Sequence, residues 1–368
     1  MSFVKIFDEL NWNTERDSIY AKTETDVTTA FLKENRTLED FKALISPAAE
    51  KHIENMAQLS HDITLRRFGN VIQMYIPMYL SNECQNICTY CGFSFNNKIE
   101  RLTLNDNQIL REIAIIKEMG YDHVLLVSGE AVKTVGSDYF EHAIRLIRPH
   151  FSNIMLEVQP MDLHDYERLI ACGVNTVLVY QETYHKENYK QYHPKGKKSN
   201  FIYRLDTPDR LGKAGVHRIG LGVLLGLEDW RTDSFFTAQH LAYLEKTFWK
   251  TKFSISFPRL RPAVGSQHVQ FPMSEKQLVQ LICAYRIYNE NVELSLSTRE
   301  ARGFRNNAIK LGITSISAGS KTEPGGYSNS NALEQFEISD DRSPQELAAI
   351  IESSGYEPVW KDWDRSLS

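Results

Sequence analysis

Short apolar runs recur along this chain at intervals that leave room for a helix between each pair, and that rhythm restricts the fold more than any other feature. The runs are 71–79 (VIQMYIPMY), 122–127 (DHVLLV), 153–158 (NIMLEV), 175–180 (NTVLVY), 217–225 (HRIGLGVLL), 252–257 (KFSISF), 291–297 (NVELSLS) and 313–317 (ITSIS). Between them lie stretches such as 105–119, 162–171, 234–248 and 274–289, whose apolar residues return at helical spacing. Gly120, Gly173, Gly215 and Gly312 stand where each helix gives way to the next strand and fit its left-handed closing position. Strand alternating with helix predicts a parallel sheet, and eight units predict an α/β fold of the closed (β/α)8 TIM-barrel type; a doubly wound open sheet is the alternative. Either architecture gathers ligands at the carboxyl ends of the strands, so a site is expected among the residues just after each run.

A polar, helix-like section precedes the first run. We expect residues 1–70 to form an N-terminal helical extension, 71–325 the barrel, and 326–368 a short C-terminal segment packed on it. No Gly/Ser- or Pro-rich linker and no repeat of fixed period interrupts the chain. With 42 Lys+Arg against 47 Asp+Glu, the formal net charge of −5 offers no sequence-wide basic field for nucleic acid or an anionic membrane. The first residues, MSFVKIFDELNWNTERD, lack the continuous apolar stretch of a signal peptide, and no later run approaches a membrane span, so a cytoplasmic location is expected.

Five cysteines are too few for a disulfide framework in a chain of 368 residues, and three crowd into one loop just past the first run. Cys84, Cys88 and Cys91 stand in the pattern C-x3-C-x2-C within SNECQNICTYCGFSFNN. Thiolates this close in a reducing compartment suit a metal. A zinc site needs a fourth ligand, and no second C-x-x-C or paired histidine motif follows. Three thiolates on a four-iron cubane leave one iron open for chemistry. A zinc site completed by His or Asp, or three cysteines packed as small hydrophobes, are the alternatives. Cys172 and Cys283 read as packing residues, and the run His193–Lys198 (HPKGKK) as a solvated loop.

The loop resembles that of the radical S-adenosylmethionine superfamily, whose signature is this cysteine spacing with an aromatic residue before the last cysteine, here Tyr90. The resemblance implies a [4Fe–4S] cluster on the three cysteines, with its open iron chelated by S-adenosylmethionine and a 5′-deoxyadenosyl radical released on reduction. It also assigns roles at other strand ends. Ser128-Gly129-Glu130 would hold the methionine amino group of the cofactor, Glu157 and Glu182 would accept its ribose hydroxyls, and Arg204 would meet its carboxylate. Asp229, closing GLGVLLGLED, stands where an acid near adenine is usual. Each of these has an ordinary alternative as a solvated rim residue or a surface ion pair. Arg299 and Ser317, at the ends of the last two runs, read as a clamp for an amino acid, since a guanidinium meets a carboxylate through two parallel hydrogen bonds.

Within the superfamily the chain is most similar to the aromatic amino-acid lyases, and among them to the tyrosine lyases of thiazole biosynthesis. The stretches RFGN, IPMYLSN, CTYCGFS, EVQP, VYQETYH, TPDRLGKAG, SFPRLRP, LSLSTRE, SKTEPGGY and VWKDWD carry the likeness, from Arg67 to Asp364. It implies cleavage of the Cα–Cβ bond of L-tyrosine to 2-iminoacetate and p-cresol, with 5′-deoxyadenosine and methionine as co-products. It further implies thiazole synthase as protein partner and a reduced flavodoxin or ferredoxin-type electron donor. The tyrosine lyase of hydrogenase maturation carries a C-terminal cysteine cluster, and no cysteine follows Cys283 here. A tryptophan lyase and a non-catalytic zinc-bearing scaffold are the remaining alternatives.

Overall fold

A computed structural model describes residues 2–266, 269–328 and 331–361. The last three residues of the VWKDWD stretch, and the end of the 326–368 segment, lie outside them. Eight strands run parallel: β1 (Val71–Ser81), β2 (His123–Ser128), β3 (Asn153–Glu157), β4 (Val174–Leu178), β5 (Arg218–Gly222), β6 (Lys252–Ser256), β7 (Glu293–Leu296) and β8 (Ser315–Ser317). Each pairs with the next, and β1 pairs with both β2 and β8, so the sheet closes on itself. The fold is the (β/α)8 barrel, and the open-sheet alternative falls away.

The chain forms strands here because both faces of each are covered: β2 and β5 are buried at every position. The crossovers include helices Asp106–Glu118, Ser137–Ile147, Leu163–Ala171, Trp230–Thr247 and Glu275–Tyr288. Their starts are fixed by side chains: Asn105 with Gln108, and Ser274 with Gln277, form reciprocal capping boxes. Gly120, Gly173, Gly215 and Gly312 all have positive φ, as expected.

Two departures from the sequence reading follow from backbone geometry. The run 217–225 leaves the sheet at Gly222, after which Val223 and Leu225 make only isolated bridges to Glu182 and Arg259. A ninth strand, β9 (Glu357–Val359), pairs in parallel with Val71–Gln73, below the point where β2 joins β1 at Ile76. Ahead of the barrel, helices Leu38–Ile45 and Ile53–Phe68 pack on helices Trp230–Thr247 and Glu275–Tyr288. Among the described residues no helix is long and apolar enough to cross a membrane.

Candidate functional site

The three-cysteine loop leaves β1 at Ser81 and has almost no regular secondary structure, so its backbone must be satisfied piecemeal. Arg101 supplies much of this, donating to the carbonyls of Asn82 (2.6 Å), Phe93 (2.9 Å) and Ser94 (2.9 Å). Asn82 adds a two-way bond with Leu102, and Ser94 Oγ accepts from the Cys88 amide at 3.0 Å. Neighbouring strand ends close over the loop: Gln85 N donates to Glu130 O, Ile87 N to Lys195 O and Thr89 N to Tyr192 O. Gly129 sits where a Cβ would lie 2.1 Å from Glu83 O, so only glycine lets the end of β2 approach this closely.

All three sulfurs line one cavity, together with Ser128, Glu130, Glu182, Lys198, Arg204 and Gln335. Four of these form a buried charge network. Arg204 donates to Glu130 at 2.8 Å, to Glu182 at 3.4 Å and to Tyr180 O at 2.6 Å, while Lys198 Nζ meets the same Glu182 oxygen at 2.7 Å. Burial raises the Glu130 carboxyl, but Arg204, Lys198 and the Asn86 amide outweigh it and hold the group below its ordinary range. Glu182 has φ of 71°, the one left-handed non-glycine residue among those described, a conformation that costs of order 1 kcal/mol and that persists where surroundings enforce it. Ser128 Oγ is buried without a protein partner, and Ser128 lines the same cavity as the cysteines. Burial pushes the Cys84 thiol up to about 11, helped by Cys91 and Glu130, so a bound metal rather than the protein would make these sulfurs thiolates.

A second cavity adjoins the first and shares Val127, Glu157 and Tyr180 with it. Arg299 and Ser317 line it with Tyr75, Tyr79, Ser295 and Phe336. The Arg299 guanidinium lies 3.4 Å from the centroid of the Phe336 ring, a stacked cation that keeps its hydrogen-bonding edge available. Among the described residues its side chain gives one hydrogen bond, a long 3.4 Å contact to Arg259 O. Glu157 stands at the junction, its carboxyl pushed up to about 7 by burial, with Arg299 opposing and Glu182 adding to the rise.

The structure therefore brings together Cys84, Cys88, Cys91, Ser128, Gly129, Glu130, Glu157, Glu182 and Arg204 around one cavity, and Arg299 and Ser317 around its neighbour. Two residues that the superfamily resemblance singles out, Asp229 and Tyr90, stand outside both linings. Asp229 is not at either cavity: its carboxylate caps helix Trp230–Thr247 through Thr232 and accepts from Tyr20 at 2.7 Å. The preceding Glu228 is the buried acid of that turn, held by Asn188 (2.7 Å) and Tyr192 (2.9 Å). Tyr90 does not line the sulfur cavity either; its hydroxyl bonds His193 Nε2 at 2.7 Å and latches the cysteine loop to the segment after β4. Within HPKGKK, read as solvated, His193 and Lys198 point inward. Cys172 is half-buried beside Arg148 at the outer surface, whereas Cys283 is fully buried. Gln335 was missed altogether.

Residues 78–235 match the Radical SAM superfamily, and 256–357 match the Biotin and Thiamin Synthesis associated domain. The chain is 49% identical over 361 residues to the 2-iminoacetate synthase of Escherichia coli strain K12, covering 98% of this chain and 96% of that one. It is 47% identical over 368 residues to the 2-iminoacetate synthase of Salmonella typhimurium strain LT2, covering 100% and 98%. The chain belongs to the 2-iminoacetate synthases of the radical S-adenosylmethionine superfamily. Among solved structures, HydG, a maturase of the [FeFe]-hydrogenase, is similar with a TM-score of 0.90 at 31% identity, covering 95% of this chain and 79% of HydG.

The [4Fe–4S] cluster and S-adenosylmethionine that this family uses fit the residues present. Three soft sulfur donors share a cavity with an unpartnered hydroxyl and two cations, which suits a cluster with one open corner and a zwitterionic nucleoside.

Proposed function

We propose that this chain cleaves the Cα–Cβ bond of L-tyrosine, giving 2-iminoacetate and p-cresol, where its two cavities meet. The observation that carries this reading is the shared wall of Val127, Glu157 and Tyr180, with Cys84, Cys88 and Cys91 on one side and Arg299 and Ser317 on the other. Cys84, Cys88 and Cys91 would hold the cluster. When bound, cluster and nucleoside supply one-electron cleavage of the sulfonium and a 5′-deoxyadenosyl radical that takes a hydrogen atom from the substrate, leaving 5′-deoxyadenosine and methionine.

The remaining residues bind and orient. The Ser128–Glu130 edge offers the spare hydroxyl of Ser128 to the cofactor's amino acid end, and Glu157 and Glu182 offer carboxylate oxygens to ribose hydroxyls. Arg204 spends three of its five donors on Glu130, Glu182 and Tyr180 O and so positions Glu182, and both it and Lys198, whose ammonium gives one of its three donors to Glu182, keep donors for the cofactor's carboxylate. Arg299 and Ser317 would grip the substrate's carboxylate and amine, placing its ring among Tyr75, Tyr79 and Phe336. Substrate and cofactor filling the two cavities would keep water from a reactive radical.

A free imine hydrolyses, which favours direct transfer to a thiazole synthase, and a flavodoxin or ferredoxin-type donor in the cytoplasm would supply the electron. The test is an anaerobic incubation of reconstituted protein with L-tyrosine, S-adenosylmethionine and a reductant. Formation of p-cresol supports the reading; 5′-deoxyadenosine without p-cresol would redirect it to another substrate. Arg299→Ala should raise the tyrosine KM tenfold or more while uncoupled 5′-deoxyadenosine formation persists, and equal loss of both would remove Arg299 from the clamp.

A further inference from the structure

Gln335 lines the sulfur cavity and bonds to Tyr79, a wall residue of the neighbouring cavity. Its Oε1 accepts from the Tyr79 hydroxyl at 2.7 Å, and its Nε2 donates to Cys91 Sγ at 3.7 Å. A ligand sulfur can only accept, so the amide orientation is fixed: nitrogen toward Cys91, oxygen toward Tyr79. The backbone at this point is equally constrained, with Gly92 N donating to Gln335 O at 3.1 Å and Gln335 N donating to Thr322 O at 2.9 Å. Tyr79 is buried and lines the amino-acid cavity, as does Thr322. A two-bond path thus runs from the substrate cavity to a cluster sulfur.

We infer that Gln335 is a positioning residue that couples filling of the tyrosine cavity to the ease of reducing the cluster. The inference rests on the reading that Cys91 is a cluster ligand. Reduction adds one electron from a low-potential one-electron donor, with no proton moved and no bond broken, and the added charge falls partly on sulfur. An N–H···S bond stabilises that charge and raises the potential. With the tyrosine cavity hydrated, water competes for the Tyr79 hydroxyl and the Gln335 amide. A substrate ring excludes that water, leaves the hydroxyl bonded to Gln335, and holds the amide N–H on the sulfur. Electron uptake, and hence nucleoside cleavage, is then favoured when tyrosine is present.

The test is a potentiometric titration, followed by electron paramagnetic resonance, of the reconstituted full chain with and without saturating L-tyrosine, binding being checked by equilibrium dialysis. The wild type should show a higher midpoint with tyrosine. Gln335→Met should start lower and show no tyrosine shift. Tyr79→Phe, which leaves the amide donor in place, should keep the starting midpoint and lose most of the shift. A wild type with no tyrosine shift, or a Gln335→Met protein with full iron and sulfide and wild-type behaviour, overturns the coupling. Should Gln335→Met assemble no cluster, Tyr79→Phe decides: a full shift overturns the coupling and a lost shift supports it. A wild type that assembles no cluster overturns the cofactor reading itself, and the coupling with it.

Discussion

A lysine buried beside three thiols is unfavourable unless its charge is matched, and Glu182 matches only one of the three donors on Lys198. Its protonated form is held by Glu182 and by the nearby Cys88 and Glu130, against the opposing effect of burial. Replacing it by Met should weaken S-adenosylmethionine binding tenfold or more, and Lys198→Arg should restore part of that; equilibrium binding to the reconstituted protein measures both. Glu157 gives a pH-dependent expectation. Its carboxyl is raised from 4.5 to about 7 in the folded chain, so between those values the folded state binds more protons than the unfolded one. Stability then falls as pH rises from 4.5 to 7, and Glu157→Gln should remove that part of the slope; denaturant titrations of the cluster-free chain across this range measure it. At this scale the cysteines and the strand-end acids were legible because spacing and position along a strand survive in sequence. Lys198 was hidden in a basic run that looks solvated, and the capping role of Asp229 was hidden because a helix cap and a ligand acid have the same side chain. Gln335 carries no local signal, its partners being 256 and 244 residues away.

The cysteine loop is an element held by others. Its geometry depends on Arg101 threading four carbonyls and on the β2 end passing at glycine distance. Gly129→Ala should therefore abolish most cluster assembly, read as iron and sulfide per chain, because the clash is with backbone. Gly303→Ala is the matched control: a Cβ there would have no heavy atom within 4 Å, and the residue sits in helix Arg302–Ala308. That change should leave iron content unaltered and stabilise the fold by about 0.5–1 kcal/mol, seen as a higher melting temperature. Spacing alone marked the cysteine loop as a candidate metal-binding element. It did not reveal that the segment after β4 lies against it, since Tyr90–His193 and Ile87–Lys195 join residues about a hundred positions apart.

For the whole molecule, the barrel was legible because strands buried on both faces become continuous apolar runs, and the helices between them keep their own period. β9 was not, since Glu357–Val359 is three residues with a proline and takes its register from β1. The N-terminal helices are tied to the barrel by polar bonds as well as packing. Gln280 donates to Leu44 O and Ser46 O, and Arg231 donates to Ile45 O and Glu50. Removing residues 1–70 should expose the apolar outer faces of two barrel helices, and the truncated chain should lose its cooperative thermal transition or aggregate. The two cavities, by contrast, are assembled from seven of the eight barrel strands at once, so no single stretch discloses how they adjoin. The central claim is that three cysteines leave one cluster corner to the nucleoside. Electron–nuclear double resonance on the reduced protein with S-adenosylmethionine carrying 15N in its amino group and 17O in its carboxylate tests that most directly. Coupling of both labels to the cluster is the expected result; a four-iron cluster with no coupling to either label, its fourth corner held by a protein side chain, would contradict it.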